Sequence, residues 1–361
     1  MRLVFVTQVL DRGDAVLGFV CRWIEGLARH VEELRIVALE VGDTTGLPAN
    51  VSVRELGRRG TLKRLLRYRG LLSEAFGRDG FDQLLTHMVP RYSTLGDGVA
   101  RRHGAGHALW YTHKGVDRRL IQAVKKVDLV FTASAESMRV ETSKRRVTGH
   151  GIDLRHFPAR ADGTAFERGE GPARVLSVGR MTPAKDPLCV VGAVHGLVDQ
   201  GIDVELHWAG GGLAAGDTTF ADEVRAKVAS LGLGGRVQLL GDVPHGRIPQ
   251  VIGEADLMLS ASRTGSVDKA VLEAMACGVP AITCNESFPA IFAELGQSVA
   301  SGLLFESGNG EQLRDRASVL LGKTAAERRE LGSKLRAIVE RDHEVDALMG
   351  ELVRQMAELR P

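Results

Sequence analysis

Two cations in the second half of the chain have the types and the spacing to hold a phosphorylated ligand. Arg180 and Lys185 stand five residues apart in SVGRMTPAKDP, where an apolar run predicts the end of a strand. A guanidinium grips phosphate oxygens with its planar fork and an ammonium adds a point charge, so the two could clamp a diphosphate. The alternative is a solvated loop in which neither side chain binds a ligand.

A second chemical signal lies in TGSVDKAVLEAMACG, residues 264–278, which changes from a polar turn to a strong helix former. Ser266 is the predicted N-cap, and Asp268 suits the positive end of the helix dipole. The free backbone N–H groups at such a helix start form an anion site. Glu273 stands among apolar residues, so we expect this helix to be buried and its carboxylate to have a partner.

Two partners for Glu273 are compatible with the sequence. It lies seven residues after Ser266, two turns along the same predicted face, where it could accept hydrogen bonds from two ribose hydroxyls. The other candidate partner is a lysine or arginine inside the same domain. Taken together with Arg180 and Lys185, the pattern favours a site for a nucleoside diphosphate.

The elements that must position these residues follow from an alternation of short β-branched runs with helical patterns. The runs RLVFVT, LRIVALE, DQLLTH, ALWYTH and DLVFTAS precede residues 158–172, and ARVLSVGR, VELHWAGGG, RVQLLGDV, DLMLSAS and PAITCN follow them. Residues 158–172 are polar and rich in Gly and Pro, as linkers are. The pattern predicts an α/β fold with two doubly wound, Rossmann-like domains over 1–160 and 161–340. We expect a helix over 341–361 to pack back on the first domain.

Ligands of open α/β sheets bind beyond the carboxyl ends of the strands. Residues that directly follow predicted strands are therefore candidate site residues, and we expect the two domains to face each other across a central cleft lined by them. The candidates are Gly13, His87, His113, Gly179, Arg180, the glycines at 210–212, and Gly241.

The composition is that of a globular protein, with 44% hydrophobic and 25% charged residues. A formal net charge of +2 gives no argument for nucleic acid. The four cysteines form no C-x-x-C pair, which predicts reduced thiols. The sequence shows neither a signal-peptide pattern nor an apolar run long enough to span a bilayer, so we expect a soluble cytoplasmic protein.

The motifs resemble those of a known enzyme family. Residues 241–282, from GDVPHGR to ACGVPAI, are similar to the donor-binding half of family 4 glycosyltransferases, retaining enzymes of the GT-B fold. VGRMTPAKDP resembles their diphosphate motif, GHGID at 149–153 resembles the motif that closes their first domain, and LGFVCRWIEGLARH resembles their first helix. The resemblance implies transfer of a hexosyl or N-acetylhexosaminyl group from a nucleotide-diphosphate sugar to a glycan, lipid-linked or small-molecule hydroxyl acceptor, with retained anomeric configuration.

The resemblance also assigns roles by position. Arg180 and Lys185 would stabilise the leaving nucleoside diphosphate, Glu273 would bind the donor ribose, and the loop at Gly241 and Val243 would cradle the base. The chain has no Asp-x-Asp pair and no cluster with metal-ligand spacing, so we expect no metal and no resident cofactor.

Three residues of the predicted first domain complete the candidate site. In the family a histidine near the end of a first-domain strand faces the donor sugar, and His113 in WYTHKG matches it. His87 in LLTHMVP is the second candidate and is assigned to the acceptor, while Gly13 is assigned to the donor. For either histidine, the alternative is a structural side chain.

One departure from the family affects donor recognition. The family carries a second glutamate eight residues before the ribose-binding one, where this chain has Gly265. Asp268, or backbone groups of the loop formed by Gly265, Ser266, Val267, Asp268 and Lys269, would substitute in donor binding, and Lys269 would add charge beside the phosphates. An altered donor sugar or loss of activity would also fit. A catalytically silent nucleotide-sugar-binding subunit and a nucleotide-sugar epimerase on the same fold remain as alternatives.

A basic stretch, RELGRRGTLKRLLRYR at residues 54–69, carries seven cations and one acid. Its leucines recur near helical spacing, which predicts a basic amphipathic helix. Such a helix could contact an anionic membrane peripherally, or it could be the solvated face of a folded domain. Nucleic acid is less favoured, because no aromatic residues are interleaved with the cations.

Overall fold

A computed structural model of the chain describes residues 1–14, 16–58, 60–160, 171–211 and 215–359, without the side chains of 215–219. The chain divides into two compact units. Unit 1 comprises Met1–Asp153 with Asp342–Pro361, and unit 2 comprises Leu154–Arg341. Most of the predicted linker, residues 161–170, lies outside the described residues, as do Arg59 of the basic stretch and Gly212 of the glycine run.

The described part of unit 1 contains a seven-stranded, wholly parallel sheet in the order β3-β2-β1-β4-β5-β6-β7. Its central strands are buried along most of their length, as in sheets covered on both faces. The strands are β1 (Arg2–Leu10), β2 (Glu33–Val41), β3 (Val51–Glu55), β4 (Gln83–His87), β5 (Gly106–Trp110), β6 (Leu129–Thr132) and β7 (Arg145–Val147). The helices between them are α1 (Val20–His30), α2 (Thr61–Gly77), α3 (Pro90–Arg102) and α4 (Arg118–Lys126).

Unit 2 repeats this arrangement with a parallel sheet in the order β10-β9-β8-β11-β12. Its strands are β8 (Ala173–Val178), β9 (Val204–Ala209), β10 (Val237–Gly241), β11 (Leu257–Ser260) and β12 (Ala281–Thr283). In each sheet the first strand lies between the second and the fourth, so chain connections run both ways from it. That is the doubly wound, Rossmann-like order, and its switch point in unit 2 lies between β8 and β11.

The helices of unit 2 carry recognisable start signals. At α5, Asp186 accepts a hydrogen bond from the Cys189 backbone N–H and Pro187 takes the first helical position. The helices are α5 (Pro187–Asp199), α6 (Ala215–Ser230), α7 (Ile248–Gly253), α8 (Lys269–Ala276), α9 (Phe288–Phe292), α10 (Gln297–Leu303), α11 (Gly310–Leu321) and α12 (Ala325–Asp342). Short 3-10 turns occupy His245–Arg247 and Ala293–Leu295.

The last helix, α13 (Val345–Ala357), belongs to unit 1 and packs on α1. The ion pair of Arg29 with Asp346 joins the two helices. Gly149, in the GHGID motif, has a φ of +81°, and a Cβ there would lie 2.0 Å from the Asp342 carbonyl oxygen. The glycine therefore permits the close passage of the chain that leads into α13.

Every strand predicted from the sequence is present, and β3 and β7 were not predicted. The expectation of one helix over residues 54–69 is wrong at its start, because Arg54 lies in β3 and α2 begins only at Thr61. The cysteines are unpaired thiols. Among the described residues, no helix is both long and apolar enough to cross a bilayer.

Candidate functional site

The predicted phosphate-binding segments of unit 2 meet at the switch point of its sheet. β8 and β11 pair side by side, so their carboxyl ends share one edge of the sheet. Gly179 and Arg180 follow β8, while Ser260 ends β11 and leads through a loop into α8. This is the edge at which open α/β sheets bind their ligands.

Lys185 is held at the start of α8 by a buried carboxylate. Its Nζ lies 3.0 Å from Oδ1 and 3.1 Å from Oδ2 of Asp268, which is only 4% exposed. Asp268 Oδ2 also accepts a hydrogen bond of 2.7 Å from Ser260 Oγ. A Cβ at Gly179 would lie 2.8 Å from Cε of Lys185, so the glycine leaves space for the lysine stem. Both oxygens of Asp268 are engaged within the domain, which does not support its expected contact with a sugar.

Arg180 occupies an exposed position at the end of β8. Within the described ranges its side chain forms no hydrogen bond or ion pair. The backbone beside it is fixed: Trp208 Nε1 donates to the Gly179 carbonyl at 2.9 Å, and Gly210 has a φ of +136°. A Cβ at Gly210 would lie 2.2 Å from the Gly179 carbonyl oxygen, so the meeting of these two strand ends requires glycine.

The start of α8 differs from the prediction. Ser266 does not cap the helix, which begins at Lys269 after an extended Asp268. Asn285 instead holds the loop by donating from Nδ2 to the Ser266 carbonyl at 2.7 Å. Gly265 is buried with a φ of +65°, a conformation that a glutamate would adopt only with strain. The glycine that stands in place of the family glutamate therefore suits the backbone conformation of this loop.

Glu273 lies in the second turn of α8 and is 5% exposed. Its Oε1 is 2.9 Å from Lys269 Nζ and 3.6 Å from His245 Nε2. Burial raises the pKa of Glu273, but the neighbouring Lys269 ammonium and His245 more than offset it and bring the pKa to about 2. The carboxylate is therefore ionised at neutral pH. Lys269 points to this carboxylate, so its expected place beside the phosphates is not supported.

The alternative in which a lysine inside the domain pairs with Glu273 is supported by the contact of Lys269 Nζ with Oε1. Binding of a ribose hydroxyl by the same carboxylate stays a prediction.

His245 is a site residue that the sequence analysis did not single out. It begins the short turn after β10, and its ring stacks on His156 with centroids 4.9 Å apart. The signal available in the sequence was the polar turn PHGR between a strand and the helix α7. The contact between His245 and Glu273 could not be predicted, because the two residues are far apart in the sequence.

The loops after β9 and β10 are joined by backbone contacts. Gly210 donates to the carbonyl of Gly241 at 2.8 Å, and Gly211 donates to Oδ1 of Asp242 at 2.9 Å. Gly241 has a φ of +67°. Gly241 and the partly buried Val243 therefore lie on a fixed loop that runs directly into His245 and so toward Glu273.

In unit 1, His87 is a core residue. It is 2% exposed, its Nδ1 lies 3.1 Å from Thr7 Oγ1, and its ring stacks on Phe5 at 5.7 Å and meets Trp23 edge-on at 5.6 Å. Burial lowers the pKa of His87 to about 4, so the imidazole is neutral at pH 7. This environment favours the structural alternative for His87 and does not support its assignment to the acceptor.

His113 and Gly13 lie on exposed loops that follow β5 and β1 of unit 1. His113 Nδ1 accepts a hydrogen bond of 3.0 Å from the Gly115 backbone, which leaves Nε2 directed away from this contact. The Gly13 backbone N–H donates to Asp11 Oδ1 at 2.8 Å. Both residues are at the carboxyl edge of their sheet, where sequence reasoning placed them.

Comparison with known proteins finds a family model that matches part of unit 2. Residues 163–336 match the family model described as glycosyl transferases group 1. The match supports the prediction of a glycosyltransferase enzyme over this part of the chain. Over the residues that the structure describes, no group of three or more His, Cys, Asp or Glu side chains has the arrangement of a metal site.

Curated relatives are distant and partial. The chain is 28% identical over 220 residues to the lipopolysaccharide core biosynthesis mannosyltransferase LpsB of Rhizobium meliloti, covering 58% of this chain and 59% of that protein. It is 30% identical over 110 residues to the mannosylfructose-phosphate synthase of Agrobacterium fabrum, covering 30% of this chain and 24% of that protein. The matches thus span less than two thirds of either relative.

Solved structures match over almost the whole chain. The Anabaena protein HepE, solved in complex with UDP, has a TM-score of 0.78 and 17% identity, with 99% of this chain and 100% of that chain covered. Sucrose-phosphate synthase from Thermosynechococcus elongatus has a TM-score of 0.76 and 18% identity, with 99% and 100% covered. The predicted α/β GT-B fold with two doubly wound Rossmann-like domains is confirmed.

Proposed function

We propose that the protein is a glycosyltransferase that moves a sugar from a nucleotide-diphosphate sugar to a hydroxyl acceptor. The observation that carries the proposal is the arrangement at the switch point of unit 2. There Lys185 lies at the start of α8, and the ionised Glu273 lies one turn further along the same helix. The family match over 163–336 and the UDP bound by the structural neighbour HepE support it.

In this proposal the cations act on the leaving group. Negative charge develops on the departing diphosphate, and fixed positive charges nearby lower the barrier. Lys185 would supply one such charge and Arg180 another, since the Arg180 side chain has no counter-charge among the described residues. The backbone N–H groups at the start of α8, near Lys269, would bind a phosphate oxygen.

Glu273 would bind the ribose of the donor. Lys269 Nζ lies 2.9 Å from Oε1, and the ionised carboxylate would accept hydrogen bonds from the ribose hydroxyls. An ionised acceptor makes such a bond stronger than a neutral one. The base would then lie against the loop at Gly241 and Val243, while backbone groups of Gly265, Ser266 and Val267 remain candidates for the sugar.

We extend the proposal to retention of the anomeric configuration and to independence from metal. The resemblance to family 4 carries retention. Independence from metal rests on Arg180 and Lys185, two cations that would neutralise the diphosphate in place of a metal ion. His113 is the candidate group toward the donor sugar, because it is exposed and has one free ring nitrogen. The mannosyltransferase names of the relatives favour a mannosyl group and a lipid-linked acceptor.

A panel of UDP-, GDP- and ADP-sugars with EDTA present tests this proposal. We expect slow hydrolysis of one donor without acceptor and transfer when a suitable hydroxyl acceptor is added. Binding without turnover, even with acceptors, would favour the silent subunit, and interconversion of the sugar nucleotide alone would favour the epimerase. Turnover that is lost with EDTA and returns with manganese would contradict metal independence.

We also propose peripheral contact of α2 with an anionic membrane. Leu62 and Leu66, one turn apart, are 67% and 62% exposed, and the neighbouring Lys63 and Arg67 are exposed cations. Apolar and basic side chains on one surface suit an anionic bilayer. In liposome flotation, we expect recovery with anionic vesicles and not with neutral ones. Equal recovery from both would refute electrostatic docking, as would an unchanged result with Leu62→Ser combined with Leu66→Ser.

A further inference from the structure

Asp268 is a buried carboxylate for which the proposed reaction has no direct use. Its two oxygens bind Lys185 Nζ at 3.0 and 3.1 Å, and Oδ2 also accepts from Ser260 Oγ at 2.7 Å. Ser260 is itself buried at the end of β11. The three side chains therefore form one network across the switch point of unit 2, between β11, α8 and the loop after β8.

The chemistry of this network restricts what Lys185 can do. A buried carboxylate is costly unless it is paired and hydrogen-bonded, so Asp268 retains the lysine. An ammonium group has three N–H donors. Two of them bind Asp268, which fixes the direction of the third. The Asp268 carboxylate also offsets the positive charge of Lys185. A diphosphate would therefore bind to an ammonium group that is oriented but partly neutralised.

We propose that Asp268 is a positioning residue, the built-in counter-ion of Lys185. It holds the ammonium at the start of α8 and reduces its attraction for the nucleoside diphosphate that remains after transfer. This inference rests on the proposed function, because it assumes that Lys185 binds the diphosphate. It differs from a role in which Asp268 contacts the sugar, and from a role in which it only fastens the loop to β11.

A double-mutant cycle separates these roles, with binding of UDP, GDP and ADP measured by calorimetry on the full chain. We expect Lys185→Ala to weaken the best-binding nucleotide at least about tenfold. We expect Asp268→Asn to tighten it by about threefold to tenfold, because an opposing charge is removed. In the Lys185→Ala background, Asp268→Asn should have a clearly smaller effect, because only direct repulsion of the diphosphate is relieved and no ammonium is released from the carboxylate.

Turnover gives a second readout that a structural role would not produce. With the donor that the panel identifies, Asp268→Asn should lower kcat while the nucleoside diphosphate binds more tightly. The matched control is Asp256→Asn. Asp256 is equally buried at the opposite end of β11, where its Oδ2 accepts from the Arg174 backbone at 2.7 Å. This control should leave both quantities within about twofold of the original protein.

The outcomes that overturn the inference are specific. Equal effects of Asp268→Asn with and without Lys185, or weaker nucleotide binding with Lys185 present, would show a merely structural role. If Asp268→Asn does not fold, Ser260→Ala loosens the same carboxylate, and the same coupling to Lys185 is expected with smaller size. If Lys185→Ala leaves nucleotide binding unchanged, the proposed function itself fails. If Lys185→Ala weakens nucleotide binding but Asp268→Asn has the same effect with and without Lys185, only the inference about Asp268 fails.

Discussion

The two sheets of the molecule share the order of their first five strands and differ in the chemistry at their switch points. In unit 2 the carboxyl edge carries ion pairs, Lys185 with Asp268 and Lys269 with Glu273. In unit 1 the end of β4 is His87, neutral and buried among aromatic rings. The same architecture therefore supports ion-paired side chains at the switch point of unit 2 and a neutral, packed histidine at the switch point of unit 1.

The comparison shows that strand order determines where a ligand could bind, whereas the side chains at that place determine which ligand could bind. Both switch points satisfy the rule for open α/β sheets. Among the described residues, the one in unit 2 combines an exposed cation, Arg180, with a held cation and an ionised carboxylate. Fold alone would assign both edges equally, and the side chains distinguish them.

The largest expected effect comes from removing Lys185 at the carboxyl edge of the unit 2 sheet. Lys185→Ala should lower kcat about 100- to 1000-fold, because a fixed charge aimed at the leaving group is removed. Lys334→Ala, which removes an exposed lysine of α12, is the matched control and should leave kcat unchanged. Initial rates with the donor identified by the panel check this. Similar rates for the two variants would remove Lys185 from the mechanism.

The second prediction concerns His87, the buried neutral histidine at the end of β4 in unit 1. Burial lowers the pKa of His87 from its ordinary value of 6.5 to about 4, so the unfolded chain binds a proton first as pH falls. Stability should therefore drop between pH 6.5 and pH 4, by roughly 3 kcal/mol for this group. His87→Asn should flatten that dependence in chemical denaturation, and His30→Asn at an exposed position should not. An unchanged slope in His87→Asn would show that the imidazole is hydrated.

The third and smallest effect sharpens the assignment of Glu273. Glu273→Ala should weaken binding of a ribonucleoside diphosphate about 10- to 100-fold, the loss of hydrogen bonds to a charged acceptor. The 2′,3′-dideoxy analogue lacks the hydroxyls, so the original protein and Glu273→Ala should bind it alike. Calorimetric titration of both ligands makes the test. A loss of equal size for the dideoxy analogue would assign Glu273 to support of α8 and not to ribose.

The elements were predictable where the strands are buried. Central strands read as continuous apolar runs, whereas β3 is half-buried at one edge and β7, with the sequence RRV, is largely exposed at the other. Edge strands of this kind lack the pattern on which the prediction depends. The burial of α8 was also predicted correctly, because it is apolar on nearly all sides.

Candidate residues for the site could be chosen from the sequence, whereas their contacts could not. The partner of Lys185 lies 83 residues away, and sequence spacing gives no access to such a pair. The start of α8 was misplaced at Ser266, since Asn285 and Ser260 fix that loop by tertiary hydrogen bonds that outweigh local capping preference. A lysine or arginine inside the domain was left open as the partner of Glu273, but Lys269 itself was expected beside the phosphates.

The most direct test of the central claim is a structure of the protein with its nucleoside diphosphate bound. We predict phosphate oxygens within hydrogen-bonding distance of Lys185 Nζ, Arg180 and the backbone N–H groups at the start of α8. The ribose hydroxyls should bind the Glu273 carboxylate. A nucleotide bound elsewhere in unit 2, with the contacts among Lys185, Asp268 and Ser260 unaltered and Glu273 distant from the ribose, would contradict the account.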